Sequence, residues 1–138
     1  MNLWPPFLGS GIRVTRVDRN LKAIDVEMNL HLWNSNYFGT HFGGALYMMT
    51  DPFFVLMLLE NLGSSYVIWD KVATIRFRKP GRKKVRVEFR LSGEALDNIV
   101  ETLNSVGTVE PIFSIDVTDE TGIVVAEVEK TLYVCKRK

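Results

Sequence analysis

A chain of 138 residues lies in the single-domain range and is long enough to bury a real core. An apolar fraction of 46%, a charged fraction of 24% and a formal net charge of +1 describe an ordinary globular protein and give no electrostatic argument for nucleic acid as a partner. The lone Cys135 excludes an intrachain disulfide and supplies no metal-ligand spacing.

The segment Met1 to Gly9 has no basic leader, and Pro5-Pro6 interrupts any apolar helix there. It therefore does not read as a secretory signal. With one free cysteine, the expected location is the cytoplasm. Ile12 to Asp18 reads as a strand closed by a turn at Asp18-Arg19-Asn20. Ile24, Val26, Met28, Leu30 and Leu32 alternate with Asp25, Glu27, Asn29 and His31, the period-two pattern of a half-buried strand. Phe42 to Leu62 reads as one helix, apolar on nearly all sides and hence buried, ending at Gly63. Its most apolar run, Phe53 to Leu59, is far short of the roughly 20 residues that cross a bilayer, so no membrane span is expected. Tyr66 to Lys79 contains a strand in which Ile75 and Phe77 alternate with Arg76 and Arg78, and Pro80-Gly81 breaks it. Val85, Val87, Phe89 and Leu91 alternate with Arg86, Glu88 and Arg90 in the next. Glu94 to Val106 is an amphipathic surface helix with Leu96, Ile99, Val100, Leu103 and Val106 on one face. Phe113, Ile115 and Val117 mark a further strand, Asp119 to Gly122 a turn, and Ile123 to Val134 a long final strand.

Hairpin-length turns favour antiparallel pairing. The fold class is therefore α+β, a single domain over residues 1–138, in which a sheet covers one buried helix.

The chemistry concentrates in Asn36-Tyr37-Phe38-Gly39-Thr40-His41-Phe42-Gly43-Gly44 and Asp51. Between His41 and Glu60, Asp51 is the only charged residue, set among Met48, Met49, Pro52, Phe53 and Phe54. A carboxylate buried without a partner is costly, so Asp51 needs a reason. Two readings stand: a site carboxylate, or an N-cap for a helix that begins at Pro52. Gly43-Gly44 is either a packing device or a place of close approach to the backbone. His41 is either a polar loop residue or a base. The methionines and phenylalanines are core first and pocket lining second.

Asn36-x-x-Gly39-x-x-Phe42-Gly43-Gly44 with Asp51 resembles the Asn-x-x-Gly-x-x-His-Gly-Gly plus Asp pattern of hotdog-fold acyl-CoA thioesterases of the phenylacetyl-CoA type. The chain resembles more closely a branch of that superfamily whose central helix opens with Gly-Thr-x-Phe-Gly-Gly, followed by Asp-Pro and a Trp-Asp-Lys-x-Ala strand. Here these elements are Gly39-Thr40-His41-Phe42-Gly43-Gly44, Asp51-Pro52 and Trp69-Asp70-Lys71-Val72-Ala73. The resemblance implies a hotdog fold, an antiparallel sheet wrapped around a long buried central helix. It also implies a homodimer or dimer of dimers with sites at the subunit interface, and an acyl-CoA substrate whose coenzyme A is the only cofactor-like group.

Carried onto this sequence, Asp51 is general base or nucleophile and Asn36 orients the water or the carbonyl. Gly43 and Gly44 open the helix whose N–H groups receive the oxyanion. His41 and Phe42 lie against the substrate. Phe42 stands where the pattern has histidine, and His41, one residue earlier, is rotated by about 100° on a helix start. The run Arg76, Arg78, Lys79, Arg82, Lys83, Lys84 reads as a solvated strand edge and turn, or, through Arg82 and Lys83, as a partner for coenzyme A phosphates. The alternative to an enzyme is a non-catalytic hotdog module that binds acyl-CoA or a fatty acyl group. A dehydratase-like site is a third, for which only His31 and His41 supply imidazoles.

Overall fold

The computed structural model describes residues 1–138. Its strands are β1 (Ile12–Val17), β2 (Ala23–Met28), β3 (Tyr66–Phe77), β4 (Val85–Arg90), β5 (Thr108–Val109), β6 (Ile112–Asp119) and β7 (Val124–Lys136). Its helices are α1 (Pro5–Ser10), α2 (Gly43–Met48), α3 (Phe53–Leu62) and α4 (Gly93–Val106), with a 3₁₀ turn at Leu32–Asn34. The strands form one antiparallel sheet in the order β1-β2-β4-β6-β7-β3, with β5 beside β7.

Alternation does what the sequence promises along β4, where Val85, Val87 and Phe89 are buried and Arg86, Glu88 and Arg90 are exposed. On β2 the polar row is not fully exposed. Asp25 is buried because Arg90 reaches its carboxylate at 2.7 Å and Arg86 at 3.7 Å. The strand ends at Met28 rather than running to Leu32. Asn34 turns the chain aside: its side-chain amide donates to Asn29 O and Ser10 O, and its Oδ1 accepts from His31 N.

Pro5-Pro6 does not prevent a helix at the N-terminus. The prolines open α1, where a missing N–H is harmless, and Gly11 at φ +73° ends it. Phe7 is thereby fully buried, its ring 5.8 Å from Phe53. The amphipathic helix appears at α4, capped by Ser92 accepting from Ala95 N.

The central helix begins at Gly43 as expected but is two segments, not one. Pro52 offers no N–H to a helix and disfavours helical backbone at Asp51. Thr50 tightens the break, bonding Tyr47 O through both its N–H (2.8 Å) and its hydroxyl (2.7 Å). Nor is the helix buried all round. Ala45, Leu46, Met49, Phe53, Phe54, Met57 and Leu58 are buried in one apolar cluster with β2, β4 and β7, whereas Leu59 and Glu60 are exposed. Taken end to end, Gly43–Leu62 is long and apolar enough to cross a membrane by length and composition, but here it holds the position of a core helix. An antiparallel sheet laid over such a helix is the hotdog arrangement.

Candidate active site

A cleft of about 390 Å³ opens where the chain enters α2, lined among others by Asn36, His41, Gly43, Phe77, Arg78 and Lys79. Asn36 builds its loop. Its Oδ1 accepts from Phe38 N (2.9 Å) and Thr40 N (3.1 Å), and its Nδ2 donates to Thr40 Oγ1 at 2.8 Å. Gly39 closes the turn at φ +70°, a conformation that favours glycine. The carbonyl of Asn36 is thus committed to the loop, and only one amide hydrogen remains for anything else.

His41 is not a solvated loop residue; it is 3% exposed. Its N–H donates to Gly81 O, and its Nε2 lies 2.7 Å from Lys83 O. A carbonyl only accepts, so Nε2 carries the hydrogen and Nδ1 is the bare nitrogen, buried without a partner. Burial holds the imidazole below its usual pKa of 6.5, against the opposing bond to Lys83. A Cβ on Gly81 would stand 2.9 Å from His41 Cδ2, so glycine there makes room for the ring.

The N–H groups of Gly43 and Gly44 open α2, where the first amides of a helix have no partner within it. The space over these glycines is not empty. A Cβ on Gly43 would meet the Phe77 ring at 3.1 Å, and one on Gly44 the Phe42 ring at 2.7 Å. Two half-exposed phenylalanines therefore cover the helix start. Arg82 and Lys83 lie outside the cleft lining; the basic residues on it are Arg78, paired with Glu127 at 2.8 Å, and Lys79.

Asp51 lies at the helix break and does not line this cleft. It does not cap α3, whose N-cap is Pro52 with no side-chain bond. Its Oδ1 accepts from Tyr47 OH at 3.2 Å and stands 3.5 Å from Lys130 Nζ. Its Oδ2 carries no hydrogen bond or ion pair, and the side chain is 46% exposed. Lys130 is fully buried, yet its Nζ donates to Asp51 O and to Asp70 Oδ2 at 3.1 Å. A buried ammonium stays charged only when paired in this way. Burial, then the Asp51 charge and hydrogen bond, then the Asp70 charge, push the Tyr47 phenol up to about 12, so it remains a donor.

Asp51 thus has the partners its apolar surroundings demand, but the sequence reading did not find them. Lys130 was legible: it stands in the inward row Val128, Lys130, Leu132, Val134 of β7, where a charge is out of place. Tyr47 lies one helical turn before Asp51. Asp70 sits where a register shift between Asp70 and Val72 interrupts the pairing of β3 with β7, and a bulge of this kind re-aims a side chain.

No curated protein matches the chain. Solved structures do. A Pseudomonas aeruginosa protein of unknown function, described as a probable thioesterase, is 26% identical with a TM-score of 0.82 over 93% of this chain and 85% of that one. A Haemophilus influenzae thioesterase is 15% identical with a TM-score of 0.70, over 98% and 85% of the two chains. The E. coli PaaI protein, from the phenylacetic acid degradation operon, is 15% identical with a TM-score of 0.67, over 99% and 87%. At such identities the last two likenesses establish the fold alone. The family described as a domain of unknown function, DUF4442, matches residues 1–134. The chain belongs to the DUF4442 family and has the hotdog fold.

Proposed function

We propose that this protein hydrolyses acyl thioesters, acyl-CoA foremost, with Asp51 as general base. The observation that carries the reading is the Asp51 carboxylate, anchored through Oδ1 and open at Oδ2. A base needs one oxygen fixed for aim and the other free for water. The likeness to a probable thioesterase at 26% identity supports the same chemistry.

In the proposed reaction, Asp51 Oδ2 takes a proton from water as the water oxygen attacks the thioester carbonyl. The oxyanion is received by the Gly43 and Gly44 N–H groups. Collapse breaks the C–S bond, and the thiolate recovers the proton, leaving a carboxylic acid and free coenzyme A. The phenylalanine rings of Phe42 and Phe77 must shift to admit the thioester; both are exposed side chains, not backbone. Lys79 and Arg78 stand on the cleft to meet phosphates, with Arg82 and Lys83 following after Pro80-Gly81.

Asp51 lies off the cleft of its own chain, so the site needs Asp51 of a second copy, and the protein acts as a homodimer or dimer of dimers. The surface that supports this includes β3, a sheet edge with Trp69, Val72 and Phe77 exposed, and Leu59 on the outward face of α3. An unpaired strand edge is a template for pairing with another chain. The free Cys135 fits a reducing, cytoplasmic setting.

A second reading, a non-catalytic acyl-CoA binder, is favoured by Phe42 at the position where the phenylacetyl-CoA-type thioesterase pattern has histidine. Release of free thiol from short- and medium-chain acyl-CoA tests the two. Asp51→Asn should fold normally and lose at least about 10²-fold in rate, the lower part of what a general base contributes. A parent that binds acyl-CoA but releases no thiol supports the binder instead.

A further inference from the structure

The group around Asp51 contains more than a base and an anchor. Lys130 serves two carboxylates. It is closer to Asp70 (3.1 Å) than to Asp51 Oδ1 (3.5 Å), and it also donates to the Asp51 backbone carbonyl at the helix break. A single ammonium shared this way leaves the Tyr47–Lys130–Asp51–Asp70 group with one net negative charge. Asp70 takes the tighter ion pair, so Asp51 is held in place without being fully neutralised. Tyr47 contributes a neutral hydrogen bond to the same oxygen, Oδ1, and its ring lies under the ammonium with Nζ 5.8 Å from its centre. Both side-chain contacts to the Asp51 carboxylate fall on Oδ1.

We propose that Tyr47, Lys130 and Asp70 are positioning residues for Asp51: Tyr47 and Lys130 fix Oδ1 so that Oδ2 faces the attacking water, and Asp70 draws the lysine charge away from the base. The proposal rests on the thioesterase reading and deepens it. None of the three residues lines the cleft. Each acts through Asp51, so their removal should lower turnover while leaving substrate binding alone.

Tyr47→Phe is the decisive variant, because it deletes one oxygen and leaves the buried Lys130 with both carboxylates. Losing a hydrogen bond to a charged group should lower kcat about tenfold, with KM unchanged. Asp70→Asn keeps the shape of the side chain but leaves Lys130 to pair with Asp51 alone; kcat should again fall about tenfold at constant KM. For Lys130, Lys130→Arg should recover more turnover than Lys130→Met. Thermal unfolding of each variant identifies one that has simply lost its fold, and Tyr47→Phe remains as the test if Lys130→Met does not fold. Parent and Asp51→Asn are assayed alongside. If Asp51→Asn loses hydrolysis while Tyr47→Phe and Asp70→Asn keep the parent kcat, the positioning role is overturned and the thioesterase reading stands. If the parent hydrolyses nothing, or Asp51→Asn matches it, both fall together.

Discussion

Phe53 begins α3 directly after the Asp51-Pro52 break, and its burial is what fixes the break against the sheet. It is fully buried, with its ring 4.8 Å from Phe89 on β4 and 5.8 Å from Phe7 on α1. Phe53→Ala removes the middle member of that aromatic row and leaves a cavity bounded by two elements that cannot both collapse into it. Phe→Ala changes in cores cost about 3–5 kcal/mol, and a site walled by a sheet and a second helix belongs in the middle of that range, about 4 kcal/mol. For a chain of this size each kcal/mol moves Tm by about 3–5 °C, giving a fall of about 12–20 °C. Urea unfolding measures it, at one fixed protein concentration because self-association adds to apparent stability. Phe38→Ala makes the same chemical change at a residue 84% exposed and should stay within about 0.5 kcal/mol. A Phe53→Ala loss below about 1.5 kcal/mol would refute the claim that this packing secures the break.

The buried His41 gives a pH signature. Its folded pKa lies below 6.5, so the unfolded chain takes the proton first as pH falls. Stability from this group is therefore complete above about pH 6.5 and is lost as pH drops through the folded value. Urea midpoints of parent and His41→Gln should diverge least at acid pH and most near neutrality; a constant difference would contradict the assignment. Phe42→His tests the covered helix start. It supplies the imidazole of the phenylacetyl-CoA-type thioesterase pattern and removes the ring that sits over Gly44, so thiol release should rise above the parent, and an unchanged or lower rate with a normal Tm would count against the resemblance as a guide to this site.

How far the sequence reached depended on whether local pattern or distant contact decided the outcome. Alternation located β4, β6 and β7 because each strand has one face on the core, and the apolar face of Leu96, Ile99 and Leu103 located α4. The start of the central helix at Gly43 was legible from its glycines and apolar run. Its break at Met49–Pro52 was also written locally, in Pro52, and a helix start there stood beside the single-helix reading; the fold has both, a helix from Gly43 and a second after Pro52. α1 was missed because Pro5-Pro6 was read as a helix breaker when it occupies the first turn. The site divided the same way. Asn36, His41 and Gly43 line one cleft and are neighbours in sequence, with Gly39 bonded to Asn36 in the same loop. Tyr47, Asp70 and Lys130 come from α2, β3 and β7, and only the register of β7 against β3 joins the last two.

The position of Lys130 argues for a role beyond packing. β7 buries Val128, Lys130, Leu132 and Val134 in turn on its inward face, and an apolar residue at 130 would continue that row. Replacing a buried ion pair by well-packed hydrophobic residues is often neutral or stabilising, so the core itself has little use for the ammonium. The helix break creates a need for it. Asp51, just before Pro52, leaves a carbonyl that Lys130 satisfies, and the same Nζ reaches the carboxylate that the break turns outward. A straight helix would need neither contact. The break and the buried lysine are therefore one device. It turns a half-exposed carboxylate out of an otherwise apolar helix and holds it by one oxygen, an arrangement that suits a base better than it suits a core.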